Sequence, residues 1–202
     1  MNNRIATGLG LLCLAGAVAE ATELPFLKSQ TDYAATRIIE TNEGAFEQRV
    51  NWTSDKIRTE TSIGGVTLLN IVREDLGVMW IANPQLGRCL QQPVETIDEL
   101  SQLGGQYVAE QVTYEEVGKE TVDGYEATKY LVSAEDPEIG PHKAYMWTTA
   151  DNILVRMEMD TVAEGTKLSF TMRLKDLTTG PQDDSLFDSP GDCVDVQELG
   201  QP

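Results

Sequence analysis

The second half of the chain carries the pattern that most constrains its fold, because apolar and polar residues alternate over short runs separated by turn residues. In the clearest run, every second position is apolar: Ile153, Val155, Met157 and Met159. A period of two is typical of a half-buried strand, since successive side chains of a strand point to opposite faces. Asp123-Gly124 is a pair that favours a two-residue hairpin turn. This half of the chain therefore predicts antiparallel strands joined by tight turns.

The same alternation extends along most of the chain, with turn residues recurring at roughly 8 to 12 residue intervals, which is typical of all-β domains. Gly64-Gly65 and Asn83-Pro84 are two such turns. No internal repeat or low-complexity linker interrupts the pattern. The predicted strands are 31–40, 45–52, 56–62, 66–73, 78–82, 86–91, 112–120, 125–133, 142–149, 152–160 and 167–177.

One segment, 93–100, departs from the alternation and predicts a short helix. Proline occupies its first turn, acidic residues lie near its start, and Val94, Ile97 and Leu100 fall on one stripe. A second short helix is predicted at 24–30. An antiparallel sheet of about ten strands usually curls or closes. The predicted fold is mainly β: an open antiparallel half-barrel whose concave face is covered by one or two short helices.

The amino terminus predicts export. Arg4 precedes an apolar run at 5–17, and small residues follow up to Ala19 and Ala21, which is the pattern of a cleaved secretory signal peptide. No later run approaches the roughly 20 apolar residues of a membrane-spanning helix. We therefore expect a signal peptide at 1–19, with cleavage after Ala19 or Ala21, and a single β domain with a polar C-terminal tail at 20–202. The expected location is the periplasm, and the chain is not expected to be an integral membrane protein.

The net charge excludes some classes of binding partner, and the cysteine content predicts a disulfide. With 33 acidic and 15 basic residues the chain carries a formal net charge of −18, which opposes binding to nucleic acid phosphates and to anionic bilayers. Cys89 and Cys193 remain after export. An even pair in an exported chain predicts one disulfide, and the alternative is two separate buried thiols. No CxxC spacing indicates a redox or metal site.

Several short motifs, taken in order, resemble an uncharacterised bacterial family of exported domains that is itself similar in fold to the lipoprotein carriers LolA and LolB. The resemblance covers nearly all of the mature chain. It rests on 56–60 (KIRTE), 78–84 (VMWIANP), 174–177 (LKDL), 185–190 (SLFDSP) and on Gly124, Tyr125, Thr128, Lys129, Tyr130, Trp147, Arg156, Met157 and Glu158. By its similarity to LolA-like proteins, the domain would hold acyl chains in a hydrophobic concavity under a helical lid.

Two neighbouring apolar rows are the candidate walls of such a cavity. They comprise Leu168, Phe170, Met172 and Leu174 beside Ile153, Val155, Met157 and Met159, extended by Val78 and Trp80. Methionine is flexible and polarizable, which suits an adaptable acyl-binding surface. Periodicity does not distinguish an open cavity from a filled core. The candidate lid residues are Val94, Ile97 and Leu100, and the resemblance implies that Arg58 holds the lid.

Catalytic chemistry has little support in the sequence. The single histidine, His142, follows a proline, no serine lies in a Gly-x-Ser-x-Gly elbow, and no acidic spacing matches a calcium loop. We therefore expect no enzymatic activity, cofactor or metal. The resulting prediction is a periplasmic carrier that binds lipid or lipoprotein acyl chains. The alternative is an envelope module that binds another protein or has a structural role, with a filled core and no small ligand.

Overall fold

A single twelve-stranded sheet makes up most of a computed structural model of the chain, which describes residues 28–94, 112–136, 140–163 and 166–199. The first six strands are β1 (Tyr33–Thr41), β2 (Gly44–Trp52), β3 (Lys56–Ile63), β4 (Val66–Arg73), β5 (Val78–Asn83) and β6 (Arg88–Pro93). The others are β7 (Thr113–Val122), β8 (Tyr125–Asp136), β9 (Gly140–Thr148), β10 (Leu154–Ala163), β11 (Thr166–Thr179) and β12 (Val194–Asp195). Short 3-10 turns are Glu74–Leu76, Pro84–Leu86 and Asp184–Phe187, and Val196–Leu199 forms one helical turn.

The sheet consists of two meanders that meet at its middle. Strands β1 to β6 follow one another in space, as do β7 to β11, and β11 pairs with β1 to join the two series. These pairs are antiparallel, and β12 then adds to β6 in a parallel direction. The strand order begins with β12 and ends with β7, so the sheet is open among the described residues. The predicted class, a mainly β and open antiparallel sheet, is confirmed.

Two hairpins show how local sequence produces this meander. Asp123 and Gly124 have φ values of 51° and 90°, and Gly64 and Gly65 have values of 60° and 82°. Positive φ at both central residues is the geometry that matches the right-handed twist of the flanking strands. The predicted tight turn at Asp123-Gly124 is therefore confirmed. In the segments that the structure describes, no helix is long and apolar enough to cross a membrane.

The apolar residues of the sheet form two separate clusters. The larger, which we call the main core, involves residues of both meanders and includes Tyr33, Trp52, Ile57, Met146 and Met172. The smaller, which we call the second cluster, contains Leu69, Ile71, Trp80, Ala82, Cys89 and Phe187. Sequence alternation indicated the apolar rows that β10 and β11 contribute to the main core, and it grouped Trp80 of the second cluster with them.

The C-terminal tail departs from its prediction as a simple polar extension. Phe187 has no exposed surface, and Cys193 forms a disulfide with Cys89 across a separation of 104 residues. The predicted disulfide is thus confirmed, and the tail is fastened to the sheet.

The two predicted helices fall largely on residues that are not described. Residues 1–27 and 95–111 lie outside the described part, and so do the predicted signal peptide and most of 93–100. Pro93, predicted to begin a helix, is instead the last residue of β6, and the amide of Val94 donates a hydrogen bond to the Gly77 carbonyl at 3.1 Å. Residues 28–30 are not helical.

Candidate functional site

The two faces of the sheet differ in chemistry, and strand register assigns each residue to one of them. Along β1, Tyr33, Ala35, Arg37 and Ile39 are buried, while the residues between them are half-buried. We call the face that carries Tyr33 and Ile39 the buried face. The opposite face carries Lys129, Arg156 and Arg173, and we call it the charged face.

A row of methionines crosses the buried face. Cross-strand register pairs Met146 with Met157, Met157 with Met172, and Met172 with Ile39, so three neighbouring strands each contribute one methionine. We call Met146, Met157 and Met172 the methionine row. Met159 lies two residues beyond Met157 on β10 and pairs with Phe170 of β11. Unbranched thioether chains adjust their shape more readily than branched aliphatic chains do. The row is therefore the most adaptable part of this face.

Most of the predicted wall residues lie in or against the main core. Met172 and Val155 are 0% exposed, while Met159 and Phe170 are half-buried against the main core. The other predicted wall residues on these strands are Ile153, Met157 and Leu174, which are buried in the main core, and Leu168, which is half-buried. Exposure thus increases from the methionine row towards the β10–β11 hairpin.

Val78 and Trp80 do not extend this wall. Register pairs Trp80 with Ile71, whereas their neighbours Met79 and Val72 pair with each other on the buried face. Because successive residues of a strand point to opposite faces, Trp80 lies on the charged face. There it belongs to the second cluster, against which Val78 also packs.

Arg37 is a fully enclosed arginine on the buried face, and sequence reasoning missed it. Arg58, the predicted lid residue, lies on the charged face and donates from Nη1 to the Leu186 carbonyl at 2.9 Å. Arg37 is fully buried and donates from Nη1 to Gln48 Oε1 at 3.1 Å. Gln48 in turn donates to Thr61 Oγ1 at 3.0 Å. The sequence did contain a signal for its burial, because Arg37 alternates in phase with the apolar residues Tyr33, Ala35 and Ile39 along the predicted strand.

Of the three residues on the stripe of the predicted lid helix, Val94, Ile97 and Leu100, the structure describes only Val94. It is half-buried and packs against the main core. Ile97 and Leu100 lie outside the described residues. Their predicted role as a cover therefore stays a prediction.

Residues of the sequence motifs meet on the charged face, where they stabilise one another. The Lys129 ammonium lies 4.4 Å from the Tyr145 ring centroid and 4.6 Å from that of Trp147. The Arg156 guanidinium lies 5.5 Å from the Trp147 ring, and the Trp147 indole donates to Glu120 at 2.6 Å. Cation–π contacts of this kind contribute about 0.5 to 2 kcal/mol each. The motif residues Lys129, Trp147 and Arg156 thus form a structural cluster that links β8, β9 and β10.

Side chains that could together bind a metal ion are not clustered in the described part of the chain. Within 28–94, 112–136, 140–163 and 166–199, no group of three or more His, Cys, Asp or Glu residues could hold a metal ion. The charged face has an open groove of about 460 Å³ whose lining includes Lys143, Tyr145, Glu158 and Asp160. Its carboxylates and lysine are side chains of a mixed-charge surface.

Comparisons with known proteins match this chain at the level of fold. No family model matches it, and no curated protein matches it in sequence. A crystal structure of MucB in complex with MucA(peri) aligns with 15% identity and a TM-score of 0.51, over 80% of this chain and 56% of that chain. The MucA/MucB complex of Pseudomonas aeruginosa aligns with 17% identity and a TM-score of 0.50, with the same coverage of 80% and 56%.

The LolA superfamily, to which the sequence motifs pointed, is among the matched structures. LolA superfamily protein NE2245 from Nitrosomonas europaea aligns with 11% identity and a TM-score of 0.39, over 79% of this chain and 91% of that chain. By contrast, the chain spans little more than half the length of the MucB structures, at 56%.

Proposed function

We propose that this chain is a carrier of the cell envelope that binds lipid or lipoprotein acyl chains on the buried face and has no enzymatic activity. The observation that carries this proposal is the methionine row. Five of the six methionines lie beyond the predicted signal peptide, and Met146, Met157, Met159 and Met172 adjoin one another on three strands. A surface of flexible thioethers suits acyl chains of differing length and saturation.

The energetic basis is the transfer of methylene groups out of water. Each buried CH₂ contributes about 0.8 kcal/mol, so an acyl chain lying along the methionine row gains affinity with its length. Met157 is only 9% exposed and Met172 is 0% exposed. Loading therefore requires the buried face to open. The half-buried Met159 and Phe170 make the β10–β11 hairpin end the proposed point of entry.

The proposed location is the periplasm. The predicted signal peptide supports export, and the Cys89–Cys193 disulfide fits an oxidising compartment. The lipid itself is defined only by class, as one that carries an acyl chain.

Native mass spectrometry of the mature protein, before and after extraction with organic solvent, tests this function. We expect a discrete excess mass that extraction removes and that added fatty acid restores. Met159→Gln should reduce the loaded fraction by introducing an amide at the entry point. Leu131→Gln is the matched control, because Leu131 is also half-buried but lies on the charged face. Its cross-strand partner is Tyr145, which pairs with Glu158 of that face. An unloaded protein that takes up no acyl ligand would contradict the proposal.

A second candidate function is protein binding, and a different surface favours it. The β3–β4, β5–β6 and β10–β11 hairpins lie at one end of the sheet. Their tips expose Ile63 (55%), Val66 (45%), Leu86 (66%) and Val162 (63%), which we call the hairpin rim. Grouped exposed aliphatic residues often mark interaction sites. The matched MucB structures also contain MucA.

Two variants distinguish the protein-binding function from the carrier function. Under protein binding, Ile63→Ser with Leu86→Ser should abolish recovery of a specific partner from the envelope and leave the lipid content unchanged. Under the carrier proposal, Met159→Gln should lower lipid content and leave that recovery unchanged.

A further inference from the structure

The last described residues form a strap across the charged face. We call 183–199 the C-terminal strap. It contains six acidic residues and no lysine or arginine. Its anchor is Phe187, which is 0% exposed in the second cluster beside Ile71 and Trp80. The strap thus places an aromatic side chain from an acidic segment into an apolar pocket of the sheet.

Basic side chains of the charged face surround that pocket. Lys56 Nζ lies 2.8 Å from Asp184 Oδ1, and hydrogen bonding to Asp184 raises the pKa of Lys56. Arg58 Nη1 donates to the Leu186 carbonyl at 2.9 Å, and Arg73 Nη1 donates to the Phe187 carbonyl at 3.3 Å. Two guanidinium groups therefore bind the backbone of the strap. Such contacts do not depend on the strap's side chains and would accept another extended segment.

Beyond Phe187 the strap covers an edge of the sheet. Its β12 pairs in parallel with β6, with Val194 opposite Leu90 and Asp195 opposite Gln91. A two-residue strand forms too few hydrogen bonds to hold itself in place. The Cys89–Cys193 disulfide fastens it one residue earlier. The edge of β6 is thus closed by a two-residue strand that the adjacent disulfide fastens covalently.

We propose that the pocket of Phe187 and the edge of β6 form a docking site for an acidic, extended segment of another polypeptide, and that reduction of Cys89–Cys193 opens this site. A dithiol reductant supplies two electrons and two protons, so that both cysteines become thiols and the reductant becomes a disulfide. The strap then stays in place only through reversible contacts, at an effective concentration of roughly millimolar for a short tether. A partner segment competes with it.

The chemistry of the strap indicates what kind of partner segment could replace it. That segment carries an aromatic residue for the pocket lined by Leu69, Ile71 and Trp80. It carries an acidic residue near the aromatic side chain, because Lys56 pairs with Asp184 of the strap. Arg58 and Arg73 are ion-paired with Glu60 and Asp75, so they contact the segment through its backbone carbonyls. It adds as a strand parallel to β6, because β12 does so. This site is on the charged face and is independent of acyl binding on the buried face.

A trapping experiment tests recognition with a probe of known sequence. The mature chain with Cys193→Ser keeps one thiol, Cys89. The probe is a synthetic peptide of residues 181–199 whose cysteine forms a mixed disulfide with thionitrobenzoate. The Cys89 thiolate attacks the peptide sulfur, a peptide–Cys89 disulfide forms, and the thionitrobenzoate anion leaves and is measured by its absorbance.

Three control peptides separate recognition from simple thiol reactivity. One has the same composition scrambled around the cysteine, one carries Phe187→Ala, and one has its aspartates replaced by asparagines. We expect the parent peptide to react about tenfold faster than each control, equivalent to about 1.4 kcal/mol of recognition. Equal rates for the parent and scrambled peptides would overturn the proposal.

Hydrogen exchange of the wild-type chain provides the second test, without any substitution. On reduction we expect loss of protection at whichever of the two β6 amides, Leu90 or Gln91, faces β12, whereas the other amide, which faces β5, and those of strands β1 and β11 keep it. Unchanged protection at β6 in the reduced protein would show that the disulfide does not gate this edge and would also overturn the proposal.

Discussion

The main core and the second cluster bury apolar residues on opposite faces of the same sheet by different means. The main core draws on both meanders and includes the methionine row, and no disulfide crosses it among the described residues. The second cluster has six buried members and is closed by the C-terminal strap, two arginine contacts and a disulfide. The comparison teaches that a large core is held by packing across many strands, whereas the small cluster is supplemented by a disulfide and by hydrogen bonds from two arginines.

The disulfide should give the largest effect, because it supports the small cluster. Cys89 and Cys193 are 104 residues apart, and the chain-entropy model assigns about 4.7 kcal/mol to a loop of roughly 100 residues. We expect Cys89→Ser with Cys193→Ser to lower the free energy of unfolding by up to about that amount, as measured by urea denaturation. Reduced wild-type protein is the matched control. A loss below about 1 kcal/mol would mean that the strap holds itself.

Removing the anchor of the strap should give the next largest effect. Phe187→Ala empties a site with no exposed surface, and such truncations cost about 3 to 5 kcal/mol. Leu186→Ala is the control, because Leu186 is only partly buried against the same cluster. Both are measured by chemical denaturation. A change at Phe187 as small as that at Leu186 would remove the distinction between an anchored strap and a loosely packed tail.

Stiffening the methionine row should change binding more than stability. Met157→Leu with Met172→Leu preserves volume and should cost less than about 1.5 kcal/mol per site. We expect the double variant to bind a narrower range of acyl chain lengths, because branched side chains adjust less. Fatty acids of increasing length, titrated by calorimetry, measure that range. An unchanged range would show that the methionines are packing residues alone.

The predicted lid offers a related test on the same face. Ile97→Asp should weaken lipid retention with a modest loss of stability if that helix is a movable cover. A large fall in unfolding temperature would instead place Ile97 in the permanent core. Leu76→Asp is a control for added charge, because Leu76 is 58% exposed.

Acid should affect the charged face before the buried face, with the smallest effect of these tests. A hydrogen bond from the Ser185 amide lowers the pKa of Asp183, and one from Arg73 lowers that of Asp75. A lowered folded pKa stabilises the protein above the unfolded value of 3.8, and this contribution is lost as pH falls through the folded values. Hydrogen exchange from pH 5 to about 2.5 should therefore show loss of protection in 183–187 first. Asp183→Asn should remove that pH dependence, and earlier loss in β1 or β11 would contradict it.

The strands themselves were predictable because alternation is a local property. The prediction of 66–73 coincides with β4, and the Asp123-Gly124 turn is present with the expected positive φ angles. Their bounds follow from period and turn chemistry, neither of which depends on the rest of the fold.

Assignment of residues to a face was less predictable because it depends on register between strands. Trp80 was grouped with the methionines, although pairing with Ile71 places it on the opposite face. Arg37 was missed because a charged residue in an alternating run is ordinarily assigned to solvent. Phe187 has no periodic context in the polar tail. Its burial arises from tertiary contacts that no local pattern encodes.

The most direct test of acyl binding on the buried face is methyl NMR of the mature protein with ¹³C-labelled methionine and a spin-labelled fatty acid. Five methionines lie beyond the predicted signal peptide. We predict broadening of the Met146, Met157, Met159 and Met172 signals, with Met79, which lies on β5 in the other meander, as the internal reference. No broadening, or equal broadening of all five signals, would contradict binding along the methionine row.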